Sequence, residues 1–489
     1  DGNYPRHYLG AIPVLLSTQI GAGDDDASRT AATVINAYMH KKLATSLYKA
    51  EDDVRRDGFR NPVLVVNADG GVTRVAKTKA LTTYQSGPTA GIHGSSMLCR
   101  AYGIKAALTA DVGGTSTDVG VIVGGRPIKR ERIDVAGMLV AQPSVELVSF
   151  AVGGGSLAAT AGDGATVGPE SAGSHPGPAC YGLGGRNATP TDAWLVLGYL
   201  DPDYYLGGRK RLDVAAAREA IQEHVAGPLG ISVEQGALAI KRAAEGQVAE
   251  GIEALLERED ICEQVDGTAV GDMAMIAYGG GGGVLIPAVS QRLGLGQVVL
   301  SRFSPVFSAF GVSTLDVRHT YEARVVFETG ALVGDVVSEL ADTARRDMKG
   351  EGLDPETMTL SVSVADSDGE RLGETTDLTR TLGALAAGVA DGAPVVVELS
   401  AVCPVQKAEL PDEPAVGGHD AESARTKERD VVLETGSCTI GVYARDELRT
   451  GDVLSGPALI ESGETTYLVP AGMRCTVDRF GSAVLTQEA

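Results

Sequence analysis

The sequence predicts an α/β core followed by a β-rich C-terminal domain, and three stretches carry that prediction. Ala106–Ala110 and Val119–Val123 are apolar runs on either side of a glycine turn, as suits two buried strands of a hairpin. Met273–Tyr278 reads as a strand, Gly279–Gly283 is an unbroken glycine run, and Val284–Leu293 reads as a helix carrying Pro287 near its start. After Tyr321 the chain turns to short strand-like runs separated by Gly, Pro and Asp. The expected division is residues 1–325 and 326–489.

Taken in order, Ala27–Glu51 repeats apolar residues near helical spacing (Val34, Ala37, Tyr38, Leu43, Leu47). Pro62–Asn67 reads as a strand entering an Asp69-Gly70-Gly71 turn. A second long helix is expected over Ala237–Glu257, with Ile240, Ala244, Val248, Ile252 and Leu255 in one stripe and charges on the other face. Leu332–Met348 is amphipathic and reads as a helix. The strands expected beyond it are Leu360–Val364, Pro394–Leu399, Val431–Leu433, Thr439–Val442, Pro457–Ile460, Thr466–Val469 and Ala483–Thr486. The polar segment Pro404–Arg429 reads as an exposed connector.

Composition narrows the function. With 489 residues the chain exceeds one ordinary core, so about two or three domains are expected. Lys plus Arg number 42 against 64 Asp plus Glu, and a net charge of −22 argues against nucleic acid or an anionic membrane as the main partner. Any anion must therefore be met by a local site. The sequence has no apolar stretch of membrane-spanning length, and its first residues lack a signal peptide's apolar core, so a cytoplasmic protein is expected. The six cysteines are scattered without a Cys-x-x-Cys pair, which points to reduced, mostly buried thiols. No histidines stand at metal-ligand spacing; His175, near Cys180, is the one to watch.

Ala110–Val121 reads Ala-Asp-Val-Gly-Gly-Thr-Ser-Thr-Asp-Val-Gly-Val and has the makings of a phosphate loop. Gly113 and Gly114 can take positive φ and offer bare N–H groups to an anion. Thr115 and Thr117 add hydroxyls with Ser116 between them, and Asp111 or Asp118 can hold Mg²⁺. An ordinary hairpin tip does not need aspartates and threonines on both flanks. The glycines at 279–282 stand between strand and helix, where side-chain-free backbone lets a nucleoside lie close. Gly153-Gly154-Gly155-Ser156 can either cradle an anion or let two backbones pass.

The Asp111–Asp118 run resembles the phosphate loops of the actin, sugar-kinase and Hsp70 superfamily, and within it the hydantoinase A, 5-oxoprolinase and acetone or acetophenone carboxylase family. Further segments are similar to that family in the same order: Thr33–Tyr38, Asn67–Gly71, Ser86–Gly91, Val167–Gly173, Pro176–Gly182, Thr189–Ala193, Leu206–Gly208 and Tyr278–Gly280. The resemblance implies an actin-like, ribonuclease H-like ATPase core that binds ATP or ADP with Mg²⁺ or Mn²⁺. It places Asp111 in the metal shell, with Asp118 second or orienting a hydroxyl. Gly113, Gly114, Thr115, Ser116 and Thr117 would meet phosphate, and Gly279, Gly280, Gly281 and Gly282 the nucleoside. Arg29 and Arg318 flank family-like segments, although a surface ion pair is the simpler reading of each.

Two departures stand out. Members normally begin with a segment bearing another Asp-x-Gly-Gly-Thr loop, and this chain starts downstream of it. That implies that another polypeptide supplies the lobe, that the segment was removed, or that this copy no longer hydrolyses ATP. Hydantoinase-type members usually carry a histidine where Val148 stands in Glu146–Gly155, whereas the Ala151–Ser156 form and the Tyr8–Val14 opening are closer to the ketone carboxylase branch. The resemblance thus implies a subunit of an ATP-dependent ketone carboxylase, working in a hetero-oligomer with a hydantoinase B-like subunit and a chain carrying the N-terminal lobe. The alternatives it leaves are an ATP-dependent hydrolase of cyclic amides and a catalytically silent scaffold.

Overall fold

Ala106–Val112 and Thr117–Val123 pair antiparallel, with Asp111 opposite Asp118 at the turn end of the hairpin. The structure is a computed structural model and describes residues 16–20, 26–265, 267–366, 371–415 and 419–488. The Tyr8–Val14 opening and His7 lie outside the described residues. The chain packs as two compact units, neither a single continuous segment. One holds the described parts of 1–93, 129–146 and 312–408; the other holds 94–128, 147–311 and 409–489. The expected division at residue 325 is one of order along the chain, and this division by packing cuts it differently.

The second unit is built on a nine-stranded sheet. Its middle is parallel: Ala274–Tyr278 runs alongside both Ala106–Val112 and Gln297–Leu300. Parallel strands covered on both faces read as continuous apolar runs, and Ala274–Tyr278 is buried throughout. The C-terminal strands Ala483–Gln487 and Met473–Val477 extend this same sheet, antiparallel, beyond Gln297–Leu300. A separate four-stranded sheet of Arg425–Leu433, Gly436–Ala444, Ala458–Glu461 and Thr466–Val469 completes the strand-rich end. The helix expected over Ala237–Glu257 is Val233–Leu256, opened by a reciprocal Ser232/Gln235 capping box, with Ile240, Ala244, Val248, Ile252 and Leu255 all buried.

The first unit holds the Asp26–Arg56 helix, the Lys129–Val135/Met138–Val145 hairpin and a four-stranded antiparallel sheet of Val317–Val326, Pro394–Cys403, Thr359–Ala365 and Arg371–Thr375. The helix expected over Ala27–Glu51 is present, and of the apolar residues that marked it only some face inward, Leu47 among them. Val34 and Tyr38 are 60% and 85% exposed, while Ala32, Ile35, Ala44 and Tyr48 pack inward. The buried face mixes Ser28, Ala32 and Ala44 with Ile35, Asn36 and Tyr48, so a count of bulky apolar residues does not single it out. The Pro404–Arg429 segment is a connector only in part, since the Arg425–Leu433 strand begins inside it.

Candidate nucleotide site

Because Tyr278 is in register with Asp111 on the neighbouring parallel strand, the glycine run leaves its strand beside the hairpin tip. The two loops singled out in the sequence therefore meet. Gly279 takes φ +81°, and a Cβ there would lie 2.5 Å from both Asp111 Oδ1 and the Val112 carbonyl oxygen. Its N–H donates to Ser304 O at 3.0 Å, and the Gly281 N–H donates to Val112 O at 3.1 Å. Gly280 is exposed with open space where a Cβ would stand. Gly282 opens the Gly282–Leu293 helix. The loop is thus pinned at both sides and bare in the middle.

Strand alternation puts Asp111 and Asp118 on one face of the hairpin and Thr117 on the other. Burial first and the Asp118 charge second, opposed by a hydrogen bond from Ser308, together raise the Asp111 carboxyl from 3.8 to about 6. Asp118 is raised by burial too, opposed by hydrogen bonds from Ser149 and Ser116. Two part-buried carboxylates facing one another, with hydroxyls around them, form a hard oxygen set that a divalent cation would relieve. Among the described residues no group of three or more His, Cys, Asp or Glu is placed to hold a metal, so phosphate oxygens and water would have to complete the shell of an ion such as Mg²⁺.

The tip itself is shaped by a second loop. The Gly113 N–H closes the turn onto Ser116 O at 3.0 Å, and neither Gly113 nor Gly114 has positive φ, contrary to the expectation for this turn. The demand for glycine is met across the gap: a Cβ on Gly153 would lie 2.7 Å from Gly113 O and from Thr115 N. Gly154 and Gly155 donate N–H to the Gly113 and Gly114 carbonyls at 3.0 and 2.6 Å. The 153–155 glycines therefore let two backbones pass. Among the described residues the N–H groups of Gly114, Thr115, Ser116 and Gly280 have no acceptor, which leaves them for a ligand. Thr115 stays exposed, its hydroxyl 3.4 Å from that of Ser171. The Thr117 hydroxyl is buried and donates to Val152 O at 2.6 Å, so it anchors the tip from behind.

Val148, at the departing position, pairs with Val119 and packs against the core, on the face opposite the carboxylates. Ser149, its neighbour, is the residue opposite Asp118. Sequence reading missed Ser149 and Ser308, which carry no pattern of their own. It also missed Trp194, the single tryptophan, whose ring lies 3.2 Å from where a Gly281 Cβ would stand and 3.6 Å from that of Gly154. Mg-ADP should therefore change the emission of this buried indole saturably, and a flat fluorescence titration would mean that the ligand does not touch this wall. Arg29 pairs with Asp26 and Arg318 with Asp69, the bland reading of both, and His175 is exposed.

The hydantoinase/oxoprolinase family model matches residues 29–321, and the model of the family's C-terminal domain matches 393–485. The chain belongs to the hydantoinase/oxoprolinase family. Among its relatives, the acetophenone carboxylase gamma subunit of Aromatoleum aromaticum is 29% identical over 99% of this chain and 70% of the relative. The acetone carboxylase beta subunit of Xanthobacter autotrophicus is 26% identical over 96% of this chain and 70% of the relative. The caprolactamase alpha subunit of Pseudomonas jessenii is 32% identical over 60% of this chain and 41% of the relative. A nucleotide-free acetone carboxylase structure superposes with a TM-score of 0.85 at 25% identity, covering 98% of this chain and 72% of that one. The fold is thus the expected α/β core of actin-like ATPase type with a strand-rich C-terminal region. No described helix is long and apolar enough to cross a membrane.

Proposed function

We propose that this family member is the nucleotide-binding subunit of an ATP-dependent ketone carboxylase. The observation that carries the nucleotide part is the meeting of the Asp111/Asp118 pair, the open N–H groups of the hairpin tip and the bare Gly280 at the ends of two parallel strands. The carboxylase part rests on sequence likeness, which runs over nearly the whole chain for the ketone carboxylase subunits and over 60% of it for the caprolactamase subunit, and on a TM-score of 0.85 to acetone carboxylase against 0.78 to a caprolactamase whose fold covers 97% of this chain.

In this reading Asp111 holds Mg²⁺, with Asp118 second or orienting a hydroxyl, and the ion would offset the charge of the bound phosphates. The N–H groups of Gly114, Thr115 and Ser116 are fixed donors for phosphate oxygens, costing no reorganisation when charge shifts onto them. Gly279 and Gly281 hold the run in place, and Gly280 gives the nucleoside its close approach. Thr117 positions the tip through Val152. The substrate or bicarbonate is phosphorylated in an assembly with a hydantoinase B-like subunit.

Purified with its partners, the protein should release ADP from ATP only when a ketone and bicarbonate are both present. ADP release driven by a cyclic amide without bicarbonate would replace this reading with the amidohydrolase one, and no response to either would leave a scaffold.

A further inference from the structure

The acidic balance of the chain leaves any anion dependent on local contacts, and one such place lies apart from the carboxylate pair. Within the second unit a cavity of about 360 Å³ opens among Arg302, Arg445, Arg449, Ser462, Thr465 and Tyr467. None of the nucleotide-site residues lines it. Its volume is at the small end of the range for ligand pockets.

Arg445 is the group that needs explaining. Its guanidinium is part-buried and donates from Nη2 to the Gly481 carbonyl, yet it makes no ion pair among the described residues. Its Nε is buried with no hydrogen-bond partner. On the same cavity wall Thr465 is only 8% exposed, and its Oγ1 is likewise buried without a partner. A guanidinium cannot escape the cost of desolvation by losing its proton, so an unpaired buried Nε is expensive. Both residues line the cavity, and an acceptor that reached either group would satisfy it.

The cavity also has carboxylates, and their positions matter. Glu413 is 54% exposed and bonded to Arg302 at 2.9 Å; Glu464 is 57% exposed and 3.8 Å from Arg209. Asp446 is exposed. These sit where water screens them, whereas Arg445 is part-buried and its Nε is shut off from water.

We propose that this cavity binds a small oxyanion, a carboxylate or phosphate group held by Arg445 and Thr465, at a site separate from the nucleotide loops. Its placement also links it to them. Ser304, between the wall residues Arg302 and Pro305, accepts the Gly279 N–H, and Tyr467 packs where a Gly283 Cβ would come within 2.3 Å of its ring. One end of the glycine run thus meets a wall residue, Tyr467, and the other bonds to a residue set between two wall residues in sequence.

The test is thermal stability of the full chain at constant ionic strength, titrated with inorganic phosphate and, separately, with acetate. At least one should raise the melting temperature saturably, and which one does so identifies the headgroup. Arg445→Gln and Thr465→Val should each weaken the apparent affinity by roughly 10-fold or more, the loss expected for a charge-assisted or buried hydrogen bond. Gly280→Ala, in the nucleotide run, should leave it unchanged. If Arg445→Gln does not fold, the near-isosteric Thr465→Val carries the test alone. The proposal is overturned if neither anion stabilises saturably, if the effect survives in whichever of the Arg445 and Thr465 variants fold, or if Gly280→Ala removes it.

Discussion

Asp111→Asn is expected to raise thermal stability while removing tight Mg-nucleotide binding. The sign follows from the direction of the shift. A carboxyl raised from 3.8 to about 6 binds its proton more tightly in the folded protein than in the unfolded chain. Its contribution to stability is therefore full below about pH 4 and is lost as pH rises through about 6. At pH 7.5 the folded protein holds a carboxylate that burial and Asp118 both disfavour, and the amide carries no such charge. Relief on the order of 3 kcal/mol follows from the size of the shift. The gain should shrink towards zero at pH 4, where wild type is protonated too. In the same variant nucleotide binding should weaken by about 2–4 kcal/mol, roughly 30- to 1,000-fold, because the group facing the cation has gone. Calorimetric titration with Mg-ADP and melting curves at both pH values separate the outcomes. Unchanged affinity would remove Asp111 from the metal shell, and a loss of stability at pH 7.5 would mean that the ionised carboxylate has a structural partner.

The elements most legible in the sequence were those where local pattern and tertiary role coincide. The hairpin around residues 113–116 has apolar runs whose side chains enter the core on both faces, so strand, turn and burial all follow from one pattern. The stripe of the Val233–Leu256 helix likewise matches its buried face. In the Asp26–Arg56 helix a mixed face of Ala32, Ile35, Asn36, Ala44 and Tyr48 is buried and the one carrying Val34 and Tyr38 is not, which periodicity of bulky residues cannot foresee. The candidate site was half legible. Glycines and aspartates announce themselves by type, whereas Ser149, Ser308 and Trp194 reach the site through pairing and packing across long sequence separations. Thr117 shows the limit of reading a motif as a set of equal members. It stands in the run, but strand alternation turns it away from the carboxylates and onto Val152.

The same distinction between members of one motif gives the second large effect, at Gly279 and Gly280. Gly279→Ala should be severely destabilising. At φ +81° an L side chain is strained, and its Cβ would fall 2.5 Å from the Asp111 carboxylate and from a carbonyl oxygen at the end of a central strand. Strain of about 1–2 kcal/mol and a further 1–3 for overpacking against backbone sum to roughly 3 kcal/mol, a fall of roughly 5–10 °C in melting temperature. Gly280→Ala meets neither obstacle, since its φ lies outside the left-handed region and nothing stands within 4 Å of the added methyl. Its stability should stay within about 0.5 kcal/mol of wild type. If a nucleoside lies flat on that open backbone, the methyl still obstructs it, and Mg-ADP affinity should fall roughly 10-fold, or about 1.4 kcal/mol. Loss of stability in the first variant and loss of affinity alone in the second would separate a glycine required by the fold from one required by the ligand. Equal affinity of Gly280→Ala and wild type for Mg-ADP would move the nucleoside off this loop.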